Sequence, residues 1–156
     1  MSLMNEVGKC SRSRILDRLE DVCVEELNRH HKEFQKFLLE LNDLVDILSR
    51  KHPTAEEWAK VGSTMDFLGK YAKEHFFAEE VLMKKYSFPK LDAHKKEHGD
   101  FLNKHEEFCR KLIDNHDILY VVNVKFFLLE WFMHHVNHVD LEYGEYFKKC
   151  GYPCGT

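Results

Sequence analysis

The chain has 156 residues with 23 Lys and Arg against 27 Asp and Glu, a formal net charge of -4, and 32% charged residues of interspersed sign. That length suits a single domain with one core, and the lack of a basic excess argues against nucleic acid or an anionic membrane surface as a partner. The longest apolar stretch, residues 121–136, is interrupted by Asn123, Lys125, Glu130, His134 and His135, so it is not expected to span a bilayer.

Residues 1–12 read as a disordered arm, and residues 1–10 hold no apolar run of the signal-peptide kind. A cytoplasmic address is the expectation by default. From near Ser13 the apolar residues recur at three and four, the period of one helix face: Leu16, Leu19, Cys23, Leu27, His31, Phe34, Leu38, Leu41, Val45 and Leu48. Pro53 breaks this pattern. Thr54-Ala55-Glu56-Glu57 then forms a capping box, opening a second stripe through Trp58, Val61, Met65, Leu68, Ala72, His75, Glu79, Leu82 and Tyr86. Pro89 fits the first turn of a third helix, whose stripe runs Leu91, His94, His98, Phe101, His105, Phe108 and Leu112. The Asn115-His116-Asp117 cluster ends it and caps a fourth, through Val121, Val124, Leu128, Trp131, His135, Val139, Tyr143 and Tyr146. Four amphipathic helices on short connections predict an all-α, antiparallel up-down four-helix bundle over residues 13–150, with 151–156 as a tail.

The five cysteines, Cys10, Cys23, Cys109, Cys150 and Cys154, are odd in number and scattered over a helical chain, unlike a disulfide scaffold. Reduced thiols are the expectation. Cys150 and Cys154 form a C-x-x-x-C, but no second pair completes a zinc site.

Eleven histidines are about three times the average usage for this length. Five of them, with Glu79, occupy stripe positions that should be apolar: His31, His75, His94, His98 and His135. Burying such groups unpaired costs about 1 to 3 kcal/mol each, and a transition-metal centre removes that cost because imidazole and carboxylate are good ligands. His75 with Glu79 and His94 with His98 are i,i+4 pairs, each on one helix face. Asp140 follows His135 by five residues, roughly 140° around an α-helix, so it is expected to reach the metals from the stripe's edge. His31 is preferred to its neighbour His30, which falls towards the flank with Glu26 and Glu33, and His135 is preferred to His134.

The run His75-Phe76-Phe77-Ala78-Glu79-Glu80, then Tyr86, Pro89, His94-Lys95-Lys96-Glu97-His98 and Phe101, resembles the hemerythrin core motif. Trp131-Phe132-Met133-His134-His135 with Asp140 and Tyr143 resembles the last-helix signature of that family, bacteriohemerythrin-like single domains included. The resemblance implies a non-haem pair of iron ions, one held by His94, His98 and His135 and the other by His31 and His75. Glu79 and Asp140 would bridge them beside an oxo or hydroxo group. The second iron would keep an open position for dioxygen, with Phe34, Phe76, Trp131, Phe132, Met133 and Val136 as the expected pocket wall. Reversible oxygen binding for storage, delivery or sensing is the function so implied. The alternatives are a di-iron peroxidase, oxidase or nitric oxide reductase, and an iron- or oxygen-responsive module read by a protein partner in trans.

Four further expectations complete the reading. His105, about 10 Å along the helix from His98, should be a core histidine bonded to a carbonyl or carboxylate. His138 and Glu142 are candidates to orient a ligand, although their helix face favours solvent. His52 and His116 lie in breaks and need no role. The long interval from His31 to His75 implies an extra apolar layer around Leu44, Leu48, Trp58 and Val61.

Overall fold

The computed structural model describes residues 18–155. Its helices are α1 (Glu25–Leu48), α2 (Ala55–Lys85), α3 (Leu91–Asp114), α4 (Ile118–His134) and α5 (Leu141–Lys149), the last two joined without a break by a π-helical turn, His135–Asp140. They make four helical rods. α1 packs against α2 and α4, and α2 against α3. The short connections between rods force neighbours to run antiparallel, the up-down bundle that the stripes predict.

Local chemistry sets the rod ends. Thr54 accepts from the Glu57 backbone N–H at 3.2 Å while the Glu57 carboxylate accepts from the Thr54 N–H at 3.1 Å, the reciprocal cap read from the sequence. Asp117 caps α4 by accepting from the Leu119 N–H at 2.9 Å. α5 stops at Gly151, whose φ of 79° suits glycine, with the Tyr152 N–H bonded back to the Phe147 carbonyl at 3.0 Å. Pro89 is not in the first turn of α3 but in the turn before Leu91, where the Phe88 N–H returns to the Met83 carbonyl.

The first rod begins later than its apolar period suggests. The described residues ahead of Glu25 are non-helical, while residues 13–17 and the expected arm, 1–12, lie outside the described part. The reason is side-chain competition with the helix ladder. Asp21 accepts from the Cys23 N–H at 2.7 Å and from the Asn28 amide at 2.9 Å, Asn28 accepts from the Val22 N–H at 3.0 Å, and Cys23 adopts a left-handed φ of 74°. This segment lies against α5 so closely that a Cβ on Gly144 would meet the Val22 backbone at 2.8 Å.

Cys23 is joined to Cys154 in a disulfide, and the Gly155 N–H bonds to the Cys23 carbonyl at 3.2 Å. The expectation of reduced thiols is therefore corrected for these two, and with it goes one support for a cytosolic address. The turn at Gly151 carries the tail back across the bundle end, a long-range approach that cysteine spacing does not encode. Cys109 and Cys150 are free thiols, and Cys10 lies outside the described residues. No helix among the described residues is long and apolar enough to cross a membrane.

Two apolar clusters fill the bundle. The larger includes Phe34, Leu38, Val45, Leu48, Val61, Leu68, Phe101, Phe108, Leu128 and Phe132, with Leu44 and Trp58 packed on it, so the extra layer expected from the long interval is present. The smaller is built from Val22, Cys23, Val24, Leu27, Met83, Phe88, Tyr143 and Phe147. Between them, on every rod, lies a layer of buried histidines and carboxylates.

Candidate metal centre

The buried layer brings together His31 from α1, His75 and Glu79 from α2, His94 and His98 from α3, and His135 and Asp140 from the π turn. None is more than 7% exposed. Their ligand atoms form two sets, one of Glu79, His94, His98, His135 and Asp140, the other of His31, His75, Glu79 and Asp140. Within each set every atom lies within 4.8 Å of the others. The two carboxylates belong to both.

Each carboxylate divides its oxygens between the sets. Glu79 Oε1 faces His75 Nε2 at 2.5 Å and His31 Nε2 at 3.4 Å, while its Oε2 faces His98 at 3.0 Å and His94 at 3.3 Å. Asp140 Oδ2 faces His31 at 3.1 Å, and its Oδ1 faces His94 at 2.9 Å and His135 at 3.0 Å. Such a division is what two bridging carboxylates between two cations require.

Asp140 reaches this position differently from the way an α-helix would allow. The π turn widens the hydrogen-bonded repeat to i→i+5, which returns a residue five positions on to nearly the same face. Asp140 is consequently fully buried in line with His135, not at the stripe's edge. The five-residue spacing of two ligand-type residues was itself the signal for that bulge.

Three features fit the layer to metal ions. First, neither oxygen of Asp140 finds an aligned hydrogen-bond donor among the described residues despite its three close imidazole nitrogens, as expected of lone pairs aimed at a common point. Second, His98 and His135 bring their Nε2 atoms to 3.2 Å while their Nδ1 atoms face Glu80 at 2.9 Å and Glu97 at 3.0 Å. With the ring protons donated outward, two Nε2 lone pairs confront each other, an arrangement that a cation between them stabilises. Third, the two buried carboxylates favour positive charge beside them. Burial opposes protonation of His31, but the close carboxylates of Asp140 and Glu79 outweigh it and lift the ring to about 9. His94 is lifted in the same way to about 10. Burial likewise works against ionisation of Glu79 and Asp140, yet the surrounding imidazoles hold both below the ordinary carboxylate range.

Rings wall the layer. Phe76 stacks on His98 at 3.9 Å between centroids, and Trp131 stacks on His135 at 4.3 Å. A cavity of about 10 Å³, room for one water-sized molecule, is lined by Phe34, Ala72, Phe76, Trp131, Phe132 and Val136, together with His31, His75, His135 and Asp140. Met133, expected in that wall, does not line it. It is buried in the larger apolar cluster.

The remaining polar candidates separate by face. His105 bonds through Nε2 to the Met65 carbonyl at 2.7 Å, a core histidine as expected, and it fills the space that a Cβ on Gly69 would need. His138 and Glu142 are exposed, Glu142 pairing with Lys90 and His138 lying beside the exposed His134, so neither orients a ligand. His52 is exposed, and His116 stacks on Trp58. The groups that do back the layer are Glu80, Glu97, His30 and Tyr143. His30 sits with its Nδ1 3.1 Å from that of His75, and the buried Tyr143 hydroxyl donates to Glu79 at 3.1 Å. Glu80, Glu97 and Tyr143 stand in the motifs and His30 is the alternative to His31 as a ligand, but their contacts with the layer escape the sequence reading because their partners lie on other helices.

Comparison with known proteins gives a consistent result. The chain is 32% identical over 88 residues to Bacteriohemerythrin of Clostridium acetobutylicum, covering 56% of this chain and 68% of that protein. It is 28% identical over 127 residues to Myohemerythrin of Theromyzon tessulatum, covering 81% and 88%. It is 27% identical over 107 residues to Bacteriohemerythrin of Stenotrophomonas maltophilia, covering 67% and 69%. The family model described as "Hemerythrin HHE cation binding domain" matches residues 22–150, a span that contains every residue of the buried layer, and the chain belongs to the hemerythrin family.

Proposed function

We propose that this chain is a non-haem di-iron protein that binds dioxygen reversibly, in storage, delivery or sensing. His94, His98 and His135 would hold one iron, His31 and His75 the other, and Glu79 and Asp140 would bridge them. The observation that carries the reading is the lean of the cavity towards the poorer ligand set: His31 and His75 supply one imidazole fewer than the other set and both border the space, whereas of the other three imidazoles His135 alone is in its lining. When bound there, an iron pair supplies the electrons for taking up and giving back dioxygen.

The chain's own residues would do the rest. Phe34, Phe76, Phe132 and Val136 make the cavity wall apolar beyond the layer's own His31, His75, His135 and Asp140, so they would exclude bulk water and slow the delivery of protons that would turn binding into irreversible chemistry. Trp131 and Phe76 fix the ring planes of His135 and His98. Tyr143 holds one oxygen of Glu79 from the opposite side of the layer. Five neutral imidazoles against two carboxylates also supply less negative charge than a carboxylate-rich di-iron enzyme offers to high-valent iron.

The test is an oxygenation cycle on iron-loaded protein. A visible charge-transfer band in air that bleaches on reduction and returns on re-aeration is the expected result. An iron-loaded sample that shows no such cycle, or that turns over added peroxide while autoxidising within seconds, contradicts oxygen carriage and favours the enzymatic alternative.

A further inference from the structure

The imidazoles of the buried layer turn their Nε2 atoms inward, and what meets the outward Nδ1 atoms differs sharply between the two ligand sets. On the three-imidazole side, His98 faces the Glu80 carboxylate at 2.9 Å and His135 the Glu97 carboxylate at 3.0 Å. On the two-imidazole side, His75 faces the His30 ring at 3.1 Å, and the buried Nδ1 of His31 has no hydrogen-bond partner among the described residues.

These contacts fix tautomers. A histidine that uses Nε2 as ligand carries its proton on Nδ1 and must donate it. A carboxylate acceptor draws that proton outward, which makes Nε2 the more basic ligand and pins the ring plane. His30 can accept from His75 only as a neutral ring protonated on Nε2, which points towards Glu26 at 3.9 Å. A neutral acceptor enhances the basicity of its partner less than an anionic one does.

We infer that these outer groups grade the two metal positions: Glu80 and Glu97 are positioning residues that make the three-imidazole position the tighter and first filled, while His30 leaves the two-imidazole position as the exchangeable one. This rests on the reading above that the layer holds two metal ions. Glu80 is 24% exposed and Glu97 45% exposed at the side chain, so solvent screens Glu97 more and Glu80 carries the larger share.

The experiment is an anaerobic titration of the metal-free chain with Co(II), followed by visible absorption and by heat. Two separable binding steps are expected in the unaltered chain. Glu80→Gln should weaken the first step by roughly ten- to a hundredfold and shift the absorption of the first-bound ion, Glu97→Gln should do so less, and both should leave the second step in place. His30→Gln should move only the second. Equal weakening of both steps by the glutamine variants, or no change in either, overturns the grading. Should a variant fail to fold, the unaltered chain still decides: a chelator is expected to remove one ion well before the other, and a single phase releasing both contradicts the inference. A chain that binds no Co(II) at all removes the two-metal reading and the grading with it, an outcome distinct from the others.

Discussion

The two apolar clusters on either side of the histidine layer are made in different ways. The buried residues of the larger all come from helices, from Phe34 and Leu38 on α1 through Leu68 on α2 and Phe101 on α3 to Leu128 on α4. The smaller recruits chain that is not helical: Val22, Cys23 and Val24 lie against Tyr143 and Phe147, and a disulfide fastens them to the tail. One end of the bundle is thus held by periodicity and the other by long-range closure. The layer of histidines and carboxylates lies where the two meet, so its side chains take their positions from both.

Loss of the disulfide should have the largest effect, and it should fall on the smaller cluster. Cys23 and Cys154 are 131 residues apart, and closing a loop of that length removes unfolded-state entropy worth up to about 5 kcal/mol. Replacing both with serine should lower unfolding stability towards that value. Amide exchange should quicken first at residues 22–24 and along α5, with the larger cluster protected until global unfolding. Uniform loss of protection would show that the two ends do not behave differently.

A smaller effect, on the order of 3 kcal/mol, should come from pH in the metal-free chain. His31 is raised to about 9 and His94 to about 10, their burial outweighed by Asp140 and Glu79. Rings raised in this way contribute fully below the unfolded value near 6.5, and the contribution is lost as pH climbs through 9 to 10. The lowered carboxylates act on the other side, contributing above about pH 4 and losing that contribution as pH falls further. Thermal unfolding of the metal-free chain should therefore fall between pH 7 and 10. Metal displaces these protons, so the loaded chain should show a flatter alkaline limb and release protons on loading.

Two glycines sharpen the contrast at the scale of about 1 to 3 kcal/mol. A methyl at Gly144 meets the backbone of Val22, which the disulfide next to it restrains, whereas a methyl at Gly69 meets the His105 ring, which can turn at the expense of its bond to the Met65 carbonyl. Gly144→Ala should cost more than Gly69→Ala in denaturant unfolding. Equal costs would mean that the smaller cluster yields as readily as the larger.

Legibility in the sequence follows the same division. The rods, the Thr54 box and the inward positions of His31, His75, Glu79, His94, His98 and His135 follow from spacings of three and four, which are local and geometric. The non-helical start was hidden because Leu16, Leu19 and Cys23 keep the helix period while Asp21 and Asn28 hold the backbone out of the ladder. The partnership of Cys23 with Cys154 depends on where a tail lands, and Asp140 depends on a π turn that an α-helical wheel misplaces. Glu80 and Glu97 look like ordinary solvated flank residues until the facing helix is in place.

Whether the buried layer holds two metal ions is decided by metal content after anaerobic loading with Fe(II) and removal of the excess. Two iron ions per chain are predicted, with both lost in a Glu79→Ala, Asp140→Ala double variant whose helical content is unchanged. A well-folded unaltered chain that retains no iron, or a double variant that retains two ions, would contradict it.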